Sequence, residues 1–337
     1  MNGRVNLEPG PNWQDLRAPG DGSVRDDGTL FTGSGKAGLA LVFGYLRERG
    51  VLADKTAEVL VPPWLGAQVY HQIGAFAFPT QTATSRTRAV LAYHQYGFPQ
   101  NMKRLREIAG DKGLCVVEDC AHACATTVDG RPAGTLGDFA VYSFSKFAFC
   151  YALGAVRATD PDFAPYAQAK IEKSPRALRA WINLFKLADE ANRARATPLA
   201  PGLFDSMRLA TYALYGLSPA PAPRAVAMWL SKRDEELAAR KRNFGRLVAE
   251  LGSTGLAEHL ERDGVVPYAV PLRPPLRADQ AVAELSALGV ETGLYRFDYA
   301  RNVFESDYAP CLLLPCHGGL SEADMARLAE IIRRHHS

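Results

Sequence analysis

The sequence has 337 residues, a formal net charge of +3, and 47% hydrophobic and 22% charged residues. This length accommodates one large α/β domain and a smaller one, and the composition is ordinary for a soluble globular protein. The small net charge, without a Lys/Arg block, gives no support to nucleic-acid binding. No apolar run is long enough to cross a bilayer, and the polar, Pro/Gly-rich N-terminus lacks the apolar core of a signal peptide.

The cysteines indicate a reducing compartment. Most of the six lie in or beside apolar runs, and none has the CxxC spacing of a metal site. Cys120 and Cys124 are candidate ligands on one loop, but no clustered His/Cys pair completes a set. We therefore expect buried free thiols, a cytoplasmic location and no bound metal.

Predicted strands and helices alternate along the first half of the chain. After an irregular arm (1–30), the apolar spacing predicts helix 38–49, strand 57–61, helix 65–74, strands 75–78 and 89–93, helix 102–112 and strand 114–117. This alternation is typical of a mostly parallel, doubly wound sheet. Helical patterns follow at 160–192 and 226–251, with Pro-rich bends at 197–201 and 218–223.

The C-terminal hundred residues predict a smaller α+β unit. Its elements are strand 266–272, helix 278–288, strand 290–294 and helix 322–335, whose start at Ser321 and Asp324 resembles a capping box. We expect three parts: the arm (1–30), a large domain (31–224) and a small C-terminal domain (225–337).

Two apolar runs each end in charged residues. Leu114–Val117 is followed by Glu118 and Asp119, and the run at 139–144 is followed by Lys146. If the two strands are parallel neighbours, Asp119 and Lys146 project at the carboxyl edge of one sheet, where open α/β folds bind ligands. The pair suggests pyridoxal 5′-phosphate (PLP), with the lysine forming a Schiff base and the aspartate holding the pyridinium proton. An imine would also remove the charge of a lysine in an apolar setting.

The segment GSGKAG (33–38) matches the G-x-G-x-x-G pattern. The preceding DDGTLFT lacks the buried strand that the dinucleotide-binding version requires, and the segment is not a P-loop. A Gly-rich turn that opens a helix nevertheless favours a phosphate. We prefer a phosphate cradle here, with a plain helix-entry turn as a close second.

Several polar residues allow two interpretations. His122 lies three residues after Asp119 and reaches the same ring, or packs as a satisfied core histidine. Ser143 donates to a phosphate or to a backbone carbonyl. His94 ends a strand at the same sheet edge, where a structural role is favoured over a catalytic one. His317, on a Gly-rich C-terminal loop, faces substrate or is a turn histidine.

With these residues assembled, the chain resembles the DegT/DnrJ/EryC1/StrS family of PLP-dependent sugar aminotransferases from about residue 33 to the C-terminus. Four segments carry the resemblance: SGKAGLAL (34–41), AYHQYGFPQNMKRLREIA (92–109), VVEDCAHACATTVDGRPAGTLGDFAVYSFSK (116–146) and CLLLPCHGGLSEADMARLAEII (311–332). The third is the most specific, and the fourth supports it independently.

The resemblance implies an aspartate-aminotransferase-like (fold type I) α/β fold and a homodimer. By matching position, Asp119 would pair with the pyridine nitrogen, Lys146 would be the Schiff-base lysine, and His122 would lie near the ring. The remaining implied cofactor contacts are Gly35, Lys36, Ala37, Trp64 and Ser143. Tyr295 and His317 are the candidate substrate contacts.

The chain departs from the family pattern at several positions. Lys36 stands where the phosphate turn usually has Thr, and Gly66 stands where an aromatic residue stacks on the pyridine ring, with Trp64 as a nearby substitute. The segment 80–85 is short, the Ser143–Lys146 spacing is compressed, and the glycine pair after the lysine has become Leu153-Gly154.

The function that the resemblance implies is amino transfer from a donor such as glutamate to a keto-sugar, which we expect to be nucleotide-linked. Some relatives use a histidine at the lysine position for dehydration, so Lys146 favours transamination. Two alternatives stay open: other PLP chemistry (a dehydratase, or an aminotransferase for a cyclitol), and a non-catalytic relative with a structural or regulatory role.

Overall fold

The computed structural model describes residues 5–10, 25–26, 28–193, 195, 199–261 and 263–337. Most of the predicted arm (1–30) therefore lies outside the described residues. The strands up to residue 158 are β1 (Arg25–Asp26), β2 (Thr29–Thr32), β3 (Glu58–Leu60), β4 (Phe78–Thr80), β5 (Thr87–Tyr93), β6 (Cys115–Cys120), β7 (Thr127–Val128), β8 (Arg131–Pro132), β9 (Phe139–Ser143) and β10 (Gly154–Ala158).

Eight of these strands form one sheet in the order β1-β2-β10-β9-β6-β5-β3-β4. The five strands from β9 to β4 are parallel, whereas β10 is antiparallel to both β9 and β2. The predicted mostly parallel α/β sheet is thus confirmed. Because parallel strands share one direction, the ends of β5, β6 and β9 open on the same edge.

Helices cover both faces of this sheet. The helices are α1 (Gly35–Glu48), α2 (Ala67–Gly74), α3 (Met102–Asp111), α4 (Phe163–Glu172), α5 (Arg176–Arg193), α6 (Pro201–Leu214), α7 (Pro223–Glu250), α8 (Ala278–Ala287) and α9 (Glu322–Arg334). Along β5, Leu91 packs in the apolar core that includes α1, and Val90 packs in the core that includes α3. A strand buried on both faces is continuously apolar, as the AVLAY run is.

The C-terminal part forms a second, antiparallel sheet. Its strands are β11 (Ala269–Leu272), β12 (Gly293–Asp298) and β13 (Tyr308–Pro315), in the order β11-β13-β12. Helix α7 packs against α9, and the predicted capping box at Ser321 and Asp324 is present. One apolar core, which includes Trp229 of α7 and Leu313 of β13, extends from this sheet to Phe144 beside the large sheet.

The structure corrects several predicted elements. The strand predicted at 75–78 is wrong for most of its length, because α2 ends there and β4 is Phe78–Thr80. The expectation that no buried strand precedes Gly33 is also wrong. The short run TLFT forms β2, whose Phe31 packs in the core against Phe144. Helix α1 begins at Gly35 because Ser34 caps it, and β13 and α6 were not predicted.

The six cysteines are free thiols, as predicted, and four of them are buried. Among the helices of the described residues, none combines the length and the apolar composition that a membrane crossing requires.

Candidate active site

A cavity of about 280 Å³ lies at the carboxyl edge of β6 and β9. Asp119 lies near the end of β6, and Lys146 lies in the 3-10 turn (Phe144–Lys146) that follows β9. Because the two strands are parallel neighbours, both side chains line this cavity. The juxtaposition predicted from the sequence is therefore present. The polar residues of the lining also include Glu8, Ser34, Lys36, Ser143, Lys186 and Tyr212.

The Asp119 carboxylate is buried, and among the described residues only its Oδ1 has a hydrogen-bond partner. In the described part of the chain, its hydrogen bond comes from Ala121 N–H to Oδ1, at 3.0 Å. Burial raises the pKa of Asp119, although this hydrogen bond and the nearby Lys146 oppose the rise. A carboxylate in this setting is stabilised when a cationic or N–H donor approaches Oδ2.

The N-terminus of α1 forms part of the cavity wall, next to the end of β9. Ser34 Oγ accepts a hydrogen bond from Ala37 N–H at 3.0 Å, so this amide of the predicted phosphate turn is already paired. The amides of Gly35 and Lys36 are the first two of the helix and have no intrahelical acceptor. Ser143, at the end of β9, lines the cavity beside them.

Two glycines allow the close approach of α1 to the sheet edge. A Cβ at Gly35 would lie 3.0 Å from Ser143 Cβ, and a Cβ at Gly154 would lie 2.5 Å from the Ser34 carbonyl carbon. Gly154 corresponds to one of the two glycines that the resemblance leads us to expect after Lys146. Leu153, which replaces the other, is buried in the core, and its carbonyl accepts a hydrogen bond from Phe144 N–H at 3.0 Å.

Lys36 extends from the first turn of α1 along the cavity wall. Its Nζ lies 4.1 Å from the centre of the Tyr212 ring and 5.1 Å from that of Tyr215, which is cation–π distance. Burial, followed by repulsion from Lys146 and Lys186, lowers the pKa of Lys36 to about 7. The side chain therefore gains or loses its charge near neutral pH.

Both the backbone carbonyl and the side-chain nitrogen of Lys146 have contacts that hold the residue in place. Its carbonyl oxygen accepts a hydrogen bond from Arg240 Nη2 at 3.4 Å. Its Nζ lies 3.5 Å from Glu8 Oε1 and 5.1 Å from the centre of the Tyr268 ring. Glu8 also lies 3.7 Å from Lys186 Nζ.

Sequence reasoning missed Glu8 and Lys186. Glu8 belongs to the N-terminal segment, about 140 residues from Lys146, and Lys186 lies within an amphipathic helix where a lysine suggests only a solvated face. No local pattern connects them to Asp119. One signal was available, namely Lys36 at the position where the family pattern has Thr. A buried lysine needs an anionic partner, so an additional carboxylate near the cavity could have been expected.

His122 is a buried core residue that does not line the cavity. Its ring stacks on Tyr268, with 4.2 Å between the ring centres, and its Nδ1 accepts a hydrogen bond from Tyr96 N–H at 3.2 Å. Tyr93 Oη lies 2.8 Å from the same nitrogen. Burial, with repulsion from Lys146 and Arg240, keeps the pKa of His122 well below its ordinary value. The geometry matches the core-histidine interpretation.

Trp64 and Tyr295 lie together in a neighbouring cavity of about 520 Å³, which shares Gly66 with the first. Both side chains are largely exposed, at 52% for Trp64 and 40% for Tyr295, and the Arg296 guanidinium lies 5.5 Å from the Trp64 ring centre. Trp64 therefore does not line the cavity that holds Asp119 and Lys146. The substitute stacking role predicted for it has no support from this geometry.

The two other candidate histidines are fully paired. His317 Nε2 lies 3.0 Å from the Asn6 carbonyl, and its Nδ1 accepts from Gly319 N–H at 3.1 Å. It lies outside both cavities and fits the turn interpretation. His94 is buried, with Nε2 3.0 Å from Glu118 Oε2 and with Nδ1 accepting from Gln100 N–H at 3.1 Å, which fits the structural interpretation.

Glu118 organises the loop between β6 and β9. Its carboxylate accepts hydrogen bonds from the amides of Gly134, Leu136 and Gly137. The ligand atoms of His94, Glu118 and Cys120 lie within 4.8 Å of one another, as a metal would require. The three amides and His94 already satisfy the carboxylate, so the absence of a metal stays our prediction.

Comparisons with known proteins agree with this geometry. Residues 80–169 match the model of the DegT/DnrJ/EryC1/StrS aminotransferase family. The GDP-perosamine synthase of Caulobacter vibrioides is 30% identical over 267 residues, which is 73% of this chain and 65% of that protein. The dTDP-4-dehydro-2,3,6-trideoxy-D-glucose 4-aminotransferase of Saccharopolyspora spinosa is 27% identical over 266 residues, which is again 73% of this chain and 65% of that protein. The matched part of the chain thus spans 65% of the length of each relative.

A solved structure extends the likeness to the whole fold. The PseC aminotransferase of Helicobacter pylori, which is involved in the biosynthesis of pseudoaminic acid, superposes with a TM-score of 0.66 at 12% identity, covering 99% of each chain. The fold is that of the aspartate-aminotransferase-like enzymes, as the sequence resemblance implied. In the sequence of residues 80–169 and in its fold, the chain is similar to the DegT/DnrJ/EryC1/StrS aminotransferases.

Proposed function

We propose that the protein is a PLP-dependent aminotransferase that moves an amino group from an amino acid such as glutamate to a nucleotide-linked keto-sugar. The observation that carries the proposal is that Asp119, on β6, and Lys146, in the turn that follows the neighbouring parallel strand β9, line one cavity. The names of the two curated relatives, both enzymes of nucleotide-linked sugars, support the substrate class.

The residues around the cavity fit PLP. Oδ2 of Asp119 suits a pyridinium N–H, because the hydrogen bond from the described residues falls on Oδ1. The free amides of Gly35 and Lys36, beside Ser143, suit a phosphate at the positive end of α1. The absence of Cβ atoms at Gly35 and Gly154 keeps this cradle open.

Each residue then has a defined task. When bound, PLP supplies an electron sink for charge that develops at the donor Cα. Asp119 would hold the proton on the pyridine nitrogen. Lys146 Nζ would hold the cofactor and, as a free amine, would carry the donor Cα proton as general base and acid. Among the other residues predicted to contact the cofactor, Lys36 would add charge at the phosphate.

His122, Trp64, Tyr295 and His317 receive no catalytic task in this proposal. His122 instead stacks on Tyr268, whose ring also lies near Lys146 Nζ. The cavity beside Trp64 and Tyr295 stays a candidate region for substrate contact because it adjoins the first through Gly66.

The assembly and the cellular location are further parts of the proposal. Leu184, Leu203 and Leu209 are exposed on α5 and α6, and a homodimer would cover such an apolar surface. Sedimentation of the purified protein distinguishes dimer from monomer. A division at residues 224–225 and a cytoplasmic location also remain proposals.

Spectroscopy tests the function directly. The protein should develop a visible absorbance band with PLP, and glutamate should bleach it. Addition of a keto-nucleotide-sugar acceptor should restore the band and release the amino-sugar. A band that no amino acid bleaches would point to other PLP chemistry, and a protein that takes up no PLP would be a non-catalytic relative.

A further inference from the structure

The N-terminal segment is attached to the C-terminal part of the chain by backbone pairing. Val5 N–H donates to the Gly289 carbonyl at 2.9 Å, and Glu291 N–H donates to the Val5 carbonyl at 2.6 Å. Leu7 N–H donates to Glu291 Oε2 at 2.9 Å, and the Leu7 side chain is buried in the main core. These contacts fix residues 5–7, which we call the N-terminal strap, and the strap determines where the side chain of Glu8 lies.

The next side chain is Glu8, and the strap directs it into the cavity. Its two carboxylate oxygens lie 3.5 Å from Lys146 Nζ and 3.7 Å from Lys186 Nζ, and Tyr268 Oη donates to it at 3.4 Å. Burial opposes ionisation, but the cations Lys146, Lys186 and Arg193 outweigh it and lower the pKa of Glu8 to about 2. The cavity thus holds an internal carboxylate.

The position of this carboxylate matches that of an amino-acid donor. In an α-amino acid, the amine nitrogen and a carboxylate oxygen are about 3 Å apart, because three bonds join them. Glu8 Oε1 lies 3.5 Å from Lys146 Nζ, the nitrogen that the donor amine replaces. A donor placed there would bring its own carboxylate to the space that Glu8 occupies, next to Lys186.

The surroundings of Lys186 suit the binding of such a carboxylate. Its Nζ is held by Glu190 Oε1 at 2.8 Å, a buried carboxylate one helical turn away on α5. An ammonium has three N–H donors, so two remain for a ligand. Glu190 and Glu8 together raise the pKa of Lys186 despite its burial, so the ammonium keeps its charge.

We propose that Lys186 binds the carboxylate of the amino donor and that Glu8 occupies this subsite until the donor displaces it. The inference rests on the proposed aminotransferase function and assigns it a specificity-determining residue. Because the donor must displace Glu8, its apparent affinity equals its intrinsic affinity multiplied by the fraction of molecules in which the subsite is open. Removing Glu8 and removing Lys186 should therefore change donor binding in opposite directions.

Calorimetry with glutarate, an unreactive dicarboxylate, measures the subsite without turnover. We expect Glu8→Gln to bind glutarate about three- to tenfold more tightly than the parent protein, and Lys186→Met to bind it about 10- to 100-fold more weakly. Lys170→Met is the matched control, because Lys170 pairs with Glu48 at the surface, outside the cavity, and should bind like the parent. Unchanged or weaker binding by Glu8→Gln overturns the proposal, as does parent-like binding by Lys186→Met.

Two further measurements make the result specific. Lys186→Met leaves Glu190 with Arg193 as its remaining cation, so Lys186→Arg provides a variant that keeps the charge and should retain most glutarate binding. In turnover, Glu8→Gln should lower the KM for glutamate and leave the KM for the sugar unchanged.

Titrations on both the PLP-loaded and the cofactor-free full-length protein separate this inference from the proposed function. Failure to take up PLP removes the proposed function, whereas equal glutarate binding by the Glu8 and Lys186 variants removes the inference alone.

Discussion

Arg240 of α7 donates a hydrogen bond to the carbonyl oxygen of Lys146, at 3.4 Å. The guanidinium is fully buried and also donates to the carbonyls of Phe147 and Tyr268, at 3.2 and 2.6 Å, and to Glu236 at 2.7 Å. A helix from the C-terminal half of the chain thereby fixes the turn that carries the candidate catalytic lysine. Because the Tyr268 ring lies beside Lys146 Nζ, the same guanidinium holds the backbone of both Lys146 and its aromatic neighbour.

The first prediction concerns this guanidinium. Arg240→Met should lower the free energy of unfolding by about 3–5 kcal/mol, because it leaves buried carbonyls and Glu236 without their partner. Urea denaturation measures the change. Arg242→Met, exposed on the same helix, is the control and should be within about 0.5 kcal/mol of the parent. If both variants unfold at the same urea concentration, the buried network does not contribute as described.

Asp119 should matter for cofactor binding and not for folding. Asp119→Asn removes a buried carboxylate whose pKa burial raises, so the free protein should keep its stability. The affinity for PLP should fall about 10- to 100-fold, which is the effect of one hydrogen bond to a charged group. Equilibrium dialysis measures the affinity for PLP, and a melting curve of the free protein measures its stability. A variant that binds PLP as the parent does contradicts the role given to this carboxylate.

Lys36 predicts a pH dependence with a definite sign. Its pKa of about 7 means that the ammonium is present at pH 6 and mostly neutral at pH 9. If it attracts the cofactor phosphate, the ratio of the parent's PLP affinity to that of Lys36→Met should be largest at pH 6. The ratio should fall by up to about tenfold per pH unit above 7. Taking the ratio cancels the titration of PLP itself, and a ratio that is constant with pH contradicts the assignment.

Glu118 should matter for stability and not for cofactor chemistry. Although burial opposes it, hydrogen bonds from His94 and from loop amides lower the pKa of Glu118 below 4.5. The folded state therefore binds fewer protons, so this stabilisation is present above pH 4.5 and is lost as the pH falls further. Glu118→Gln should cost about 1–3 kcal/mol at pH 7 for each amide left unpaired. Melting curves between pH 3 and 7 test this, with Glu107→Gln at the surface of α3 as the control.

The sequence predicted the parts of the fold that depend on local pattern. The apolar runs at β5, β6 and β9, bounded by polar residues, predicted a parallel sheet and the shared edge of Asp119 and Lys146. Helix α9 was predicted because Ser321 and Asp324 form a local cap. In these regions the side chains that determine the element are close in sequence.

The sequence did not predict the parts that depend on distant contacts. Strand β2 is four residues long, and its pairing with β1 and with the distant β10 is what makes it a strand. Glu8 reaches Lys146 only because residues 5–7 pair with residues 289–291. Trp64 lies near Gly66 in sequence, yet its side chain lies in the neighbouring cavity beside Arg296.

Covalent trapping tests most directly whether Lys146 holds PLP. The full-length protein is incubated with PLP, reduced with borohydride, digested and mapped by mass spectrometry. We expect one reduced pyridoxyl adduct, on Lys146, which disappears in Lys146→Ala and persists in Lys170→Met. An adduct on Lys36 or Lys186 in its place, or no adduct on the parent protein, would show that Lys146 does not hold PLP.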